Sequence, residues 1–180
     1  MRWTIRALLA VAGVMLLSIV GWLWWSLFRP LPSDAQLHRL FRDHRAELDP
    51  LAAMALADTQ LVGAGHDWRL RGFGVYVRDT PRFNRRLTDR EVRATGRIEL
   101  CRLLNRAGLP AISRSGTGDA LRFVVMSHPG GARKGIAYSE RPLAPAVASL
   151  DSLERRSSAL GESGYVILAP RWFLFLEPND

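Results

Sequence analysis

A chain of 180 residues with one cysteine, four histidines and a net charge of +8 has room for one domain of ordinary size, but for neither a disulfide framework nor a cysteine-rich zinc site. Roughly 150 residues outside any anchor bury about 68–70% of the surface an unfolded chain exposes, so a hydrophobic core suffices. Arginine carries almost all the positive charge, because Lys134 is the only lysine. That charge suits an anionic lipid surface, a nucleic acid or an acidic partner, and also follows from a compositional preference for arginine.

The run Ala7 to Phe28 has 22 residues and no charge. As a helix it is about 33 Å long, a match to a hydrocarbon core of about 30 Å. Arg2, Arg6 and Arg29 bracket it. The basic start also suits a cleaved signal peptide, but Gly21-Trp22-Leu23-Trp24-Trp25 offers no pair of small residues at cleavage spacing. Trp22, Trp24 and Trp25 with Arg29 form an interfacial belt instead. The sequence thus predicts an uncleaved single-pass signal anchor over residues 1–28, a Pro-rich linker over 29–34 and one soluble domain over 35–180. The short N-terminal tail carries two arginines, and long domains cross largely regardless of charge, which places the N-terminus inside and the domain outside.

Pro30 and Pro32 end the anchor helix. Ser33 or Asp34 caps a new helix whose apolar residues Leu37, Leu40, Phe41 and Leu48 recur at helical spacing, with His44 on the same face. Asp49-Pro50 reads as a second helix start running to Asp58, with Leu51, Met54 and Ala55 inward. Gly63, Gly65, Gly72 and Gly74 mark a loop-rich region containing a short strand at Gly74-Val75-Tyr76-Val77. Thr88-Asp89-Arg90-Glu91 has the form of a capping box. Its helix is predicted to run to Ala107 and stop at Gly108, burying Leu100, Leu103, Leu104 and Ala107. Strands follow at Ala111–Arg114, Ala120–Ser127 and Gly135–Ser139, joined by turns at Ser115–Asp119 and Pro129–Gly131. Pro142 to Leu160 reads as loop with some helix around Ser149-Leu150-Asp151. Tyr165–Leu168 and Trp172–Leu176 form a hairpin, predicted to be central in an antiparallel sheet. Helices first and sheet second make an α+β fold with helices on one sheet face.

Few residues point to chemistry. His38 and His44 are six apart, so no zinc-binding spacing exists, and no metal or cofactor is expected. Cys101 neighbours Leu100 and Leu104 and reads as a small buried apolar residue. Ser127-His128 is a weak hydrolase signal, since adjacent strand residues point to opposite faces and no G-x-S-x-G is present. A membrane-anchored hydrolase using Ser127, His128 or Cys101 is therefore the alternative reading. Gly130 to Gly135 is a basic turn that lacks the spacing of a phosphate loop.

Eleven arginines lie between Arg69 and Arg106 against four acids. Arg90, Arg93 and Arg97 share a helix face by spacing and could contact anionic headgroups. Trp172, Leu174 and Leu176 alternate with Phe173 and Phe175, so both faces of the last strand are apolar. The first set is expected in the helix-covered core. The second is expected on the other face, under the Pro142–Gly161 loop or, if exposed, as a partner patch.

Lys134-Gly135-Ile136-Ala137-Tyr138-Ser139, Pro142-Leu143, Ser149-Leu150-Asp151 and Arg171-Trp172-Phe173-Leu174-Phe175-Leu176-Glu177 resemble a pattern in small bacterial envelope-anchored proteins of uncharacterised function, over roughly the C-terminal 70 residues. The resemblance implies a bacterial envelope setting and no catalytic residues. The resulting expectation is a non-enzymatic domain tethered at the inner membrane, facing the periplasm. It would bind a protein partner in an assembly, accessory or immunity role, and nucleic acid would not be its ligand.

Overall fold

The computed structural model describes residues 13–22, 30–67, 74–80, 83–114, 120–127, 132–156 and 162–178. The chain divides into two compact units, Met1–Leu31 and Pro32–Asp180. In the first, residues 13–22 form helix α1, and every one of them is exposed. No helix among the described residues is long and apolar enough to cross a membrane. The flanks of the predicted anchor, 7–12 and 23–28, lie outside the described residues.

The second unit is an α+β domain built on one eight-stranded antiparallel sheet. It opens with α2 (Asp34–Asp43), capped by Ser33, whose hydroxyl accepts from the Gln36 N–H while the Gln36 side chain accepts from the Ser33 N–H. Leu37 and Phe41 are its buried positions. Helix α3 (Arg45–Ala57) begins four residues before the predicted start at Asp49. Pro50 is then an interior residue, and the carbonyl it leaves without a donor belongs to exposed Ala46, where water can serve it. Asp49 caps nothing. Its carboxylate accepts from Arg45 at 3.0 Å and from the Trp172 indole N–H at 3.2 Å.

The glycine-rich stretch read as loop contains strand β1 (Leu61–Gly65), followed by β2 (Val75–Thr80) and β3 (Phe83–Arg86). Gly63 is needed where it stands, because a Cβ there would sit 3.0 Å from the Ile112 carbonyl. The predicted helix from Thr88 to Ala107 is two helices. The Thr88–Glu91 capping box starts α4 (Asp89–Ala94), which stops at Thr95 and Gly96, and α5 (Ile98–Arg106) follows. Gly96 has φ +70°, a left-handed conformation that ends a helix and that glycine adopts without steric cost. Strands β4 (Ala111–Arg114), β5 (Ala120–Ser127) and β6 (Ala132–Ser139) come next, then α6 (Leu150–Arg156), β7 (Gly164–Ala169) and β8 (Trp172–Pro178). The predicted turns at Ser115–Asp119 and Pro129–Gly131 lie outside the described residues.

The strand order is β3-β2-β1-β4-β5-β6-β8-β7. The terminal hairpin is therefore not central: β8 is interior, but β7 is an edge strand. Register puts Val75, Ala64, Ile112, Phe123, Ile136, Leu174 and Val166 in one row across the sheet. This is the face the helices cover. Trp172 lies on it as expected, with ring centroids 5.3 Å from Phe41 of α2, 5.6 Å from Phe123 and 5.0 Å from Tyr138.

Lys134 lies on the same face and is fully buried. Its ammonium is 2.6 Å from Asp151, 3.2 Å from Asp34 and 3.4 Å from Glu154. The two aspartates cap each other's helices. Asp151 accepts from the Asp34 N–H at 3.0 Å, and Asp34 accepts from the Leu150 N–H at 2.8 Å and the Ser149 hydroxyl at 2.9 Å. Burial alone would lower the Lys134 pKa, but hydrogen bonding to Asp151 and the charge of Asp34 outweigh it and raise it. The ammonium stays charged and neutralises carboxylates gathered at two helix N-termini.

Two outcomes are expected in denaturant unfolding. Trp172→Ala empties a buried aromatic site and should lower stability by about 3–5 kcal/mol. Lys134→Met leaves the carboxylates of Asp34 and Asp151 without their cation and should also cost about 3–5 kcal/mol. A parent-like midpoint would remove either residue from the core described above.

Candidate functional site on the second face of the sheet

The opposite face carries its own row: Arg86, Tyr76, Gly63, Ser113, Arg122, Ala137, Phe173 and Ile167, one residue per strand from β3 to β7. The segment after β6 wraps the β7 edge. The Tyr165 N–H donates to the Pro145 carbonyl at 3.0 Å, and the Val147 N–H donates to the Tyr165 carbonyl at 2.8 Å. Leu143 packs on a cluster of Ala137, Tyr165, Phe173 and Phe175. Gly135 stands opposite Phe175, where a Cβ would meet the ring at 3.0 Å. Phe173 and Phe175 do lie on the second face, but both are buried. They are not an exposed partner patch, because the wrapping segment and the Tyr165 ring cover them.

Beside this cluster Glu177 accepts from Arg122 at 2.6 and 2.5 Å, from Arg133 at 3.3 Å and from the Tyr165 hydroxyl. Burial on its own would raise the Glu177 pKa; the hydrogen bonds from Arg122 and Tyr165 and the charges of Arg122 and Arg133 overcome it and hold the carboxyl below its usual range. Burial and the neighbouring carboxylate push the Tyr165 hydroxyl up. The set is a charge network that ties β5, β6, β7 and β8 together around the Glu177 carboxylate.

At the other end of the face the described residues leave space. A cavity of about 260 Å³ lies over β1, β2, β3 and β4, lined by Val62, Gly63, Gly65, Tyr76, Asn84, Ala111 and Ser113. A second, of about 310 Å³, is bounded by His66, Asn105, Pro110 and Val125, and its His66 Nδ1 is 3.0 Å from the Pro110 carbonyl. Among the described residues no group of three or more His, Cys, Asp or Glu side chains is arranged to hold a metal ion.

The remaining sequence candidates scatter. Trp22 is exposed, and Trp24, Trp25 and Arg29 lie outside the described residues. Arg90 and Arg93 are exposed on α4. Arg97 does not share their helix face: the break at Gly96 places it before α5, where its guanidinium binds Asp58 at 2.6 and 2.9 Å. Cys101 is buried, and burial pushes its thiol up to about 11. Ser127 is exposed at the end of β5, and His128 lies outside the described residues. Neither cavity is lined by Ser127 or Cys101. Sequence reasoning passed over Lys134, Arg122, Glu177, Tyr76 and Asn84. Only the solitary lysine was conspicuous beforehand.

Compared with known proteins, the chain matches no family model, no curated protein and no solved structure.

Because the folded pKa of Glu177 is depressed, its stabilising contribution is complete above the ordinary glutamate value of 4.5 and is lost as pH falls from there through the folded value. Glu177→Gln should therefore cost about 3 kcal/mol at neutral pH, and the gap to the parent should close as the parent's own carboxyl protonates. Urea titrations at stepped pH test this; a gap constant down the acid range would refute it.

Proposed function

We propose that this is a membrane-tethered, non-enzymatic binding domain of the bacterial envelope, anchored in the inner membrane by residues 7–28 with its domain in the periplasm. The observation that carries the reading is α1. Val14, Met15, Leu16, Leu17, Ile19 and Val20 are each 54–73% exposed, as is Trp22 at 68%. A helix with apolar side chains all around is stable only where something apolar surrounds it. The uncharged sequence continues on both sides of the described turns, and the full run has the length of a hydrocarbon core.

The binding role rests on what the domain's polar groups do. Arg45, Arg85, Arg97, Arg102, Arg106, Arg122 and Arg133 are in ion pairs. The charge of these arginines is met by carboxylates of the chain itself, which counts against a nucleic-acid backbone as their partner. The buried thiol of Cys101 argues against a cysteine nucleophile. A protein partner in an assembly, accessory or immunity role is the class that remains.

Two measurements test the reading. A C-terminal reporter active only in the periplasm should respond, and one active only in the cytoplasm should stay silent; the reverse overturns the topology. Replacing Leu16 and Leu17 together with Arg places two charges mid-helix, each unfavourable by about 2.5–3.5 kcal/mol. The full chain should then leave the carbonate-resistant membrane fraction, and retention there would remove α1 as the anchor.

A further inference from the structure

Strand β7 is covered along only part of its outer edge. The Tyr165 N–H and C=O are taken by Pro145 and Val147 of the wrapping segment, at 3.0 and 2.8 Å. Both Tyr165 groups therefore point away from β8. Backbone direction alternates along a strand, and the β7–β8 register runs without a shift from Gly164 to Ile167. The Ile167 N–H and C=O thus point outward as well. Among the described residues the wrapping segment makes no backbone bond to Ile167, and it has turned into α6 by Leu150.

The side chain at this position is open too. Ile167 is 68% exposed, opposite Phe173 on the second face. Val166 and Leu168 on either side of it are half-buried. Native sheets blunt an open edge with charges, proline or bulges. Here the bulge comes only beyond Ile167, between it and Ala169.

Charge around the edge is arranged in a self-complementary order. From Ser163 to Pro170 the chain has no charged residue, although the protein carries +8 overall. Glu162 bounds this stretch at one end and Arg171 at the other, both exposed. Two such stretches laid side by side in antiparallel sense bring the acidic end of each toward the basic end of the other. A parallel sense would bring like charges together. A two-fold axis normal to the sheet produces the antiparallel sense.

We propose that the open end of the β7 edge is a self-association site, at which two copies of the chain pair β7 with β7 antiparallel about Ile167. Each Ile167 N–H donates to the Ile167 carbonyl of the other copy. The two isoleucine side chains meet beside them, and Glu162 of each copy lies toward Arg171 of the other. The wrapping segment confines the pairing to this short stretch, so the association is reversible and not obligate.

Cysteine cross-linking of the full chain in neutral detergent micelles tests this, and no readout depends on α1 spanning a membrane. The native Cys101 is buried and stays silent. Ile167→Cys should form a covalent dimer on mild oxidation, because facing residues of paired strands have Cα atoms about 5.5 Å apart, within disulfide reach. Phe83→Cys, similarly exposed at 71% on the opposite edge strand, reports random collision. It should cross-link about fivefold more slowly or less. Glu162→Arg in the Ile167→Cys chain should slow cross-linking about threefold, and adding Arg171→Glu should restore it. Equal rates at positions 83 and 167 overturn the proposal. An unchanged rate in Glu162→Arg, or a loss that Arg171→Glu does not reverse, overturns the antiparallel arrangement.

Discussion

One buried ammonium decides where the helices sit. Lys134 projects from β6 into the helix-covered layer and meets Asp34, Asp151 and Glu154. A lysine in such a place is favourable only if carboxylates come to it; Asp34 does so from a mostly buried position, and Asp151 and Glu154 from half-exposed ones. The aspartates bring two helix N-termini with them, because each accepts a backbone N–H from the other's helix. The positive ends of α2 and α6 therefore face one another, an arrangement that would repel without the anionic side chains between them. Packing is non-directional, and Leu37, Phe41, Leu150 and Leu153 could be buried with the helices slid along the sheet. The ionic centre removes that freedom.

A single sheet then has two unlike halves. On its helix-covered face the row through Ile112, Phe123, Ile136 and Leu174 is apolar from strand to strand. On the other face the C-terminal half is closed by its own side chains, with Phe173 and Phe175 under Leu143 and Glu177 saturated by arginines and Tyr165. The N-terminal half, floored by glycine, alanine and serine, bears a cavity among the described residues. The two sheet edges are also managed differently. The β7 edge is occupied by the wrapping segment at Pro145–Val147, whereas β3 is four residues long, fully exposed and ends in two arginines. Short, charged edges resist pairing with another chain.

How much of this was legible follows from the kind of signal each element carries. Capping boxes are local, so Ser33 and Thr88 announced their helices correctly. The same locality served β4 and β5, whose ends matched, and the terminal hairpin, whose apolar run was unmistakable. Its place in the sheet was not, because strand order depends on pairings distant in sequence. Gly96 was visible as a weak point, yet whether a glycine bends, breaks or merely weakens a helix depends on φ. Strands β1 and β3 were hidden for opposite reasons. Leu61–Gly65 holds two glycines where Ile112 and Ser113 approach closely, and Phe83–Arg86 is exposed on both faces and so lacks alternation. The site was the least legible part. Tyr76, Asn84 and Ser113 come from three strands, and no spacing in the chain links them.

The same limit explains why Lys134 was conspicuous but unreadable. In a chain that uses arginine almost everywhere else for positive charge, a lone lysine marks a position where arginine does not serve. The physical difference is geometry. A guanidinium is a planar fork suited to one carboxylate at a time, as Arg122 shows with Glu177. An ammonium is a compact charge with donors directed around it, and it meets carboxylates from three residues on two different helices. Asp34 is also the first residue of α2, directly after its cap Ser33. Its backbone N–H donates to Asp151, and its carboxylate meets Lys134, the Ser149 hydroxyl and the Leu150 N–H, so the start of α2 is tied to both β6 and α6.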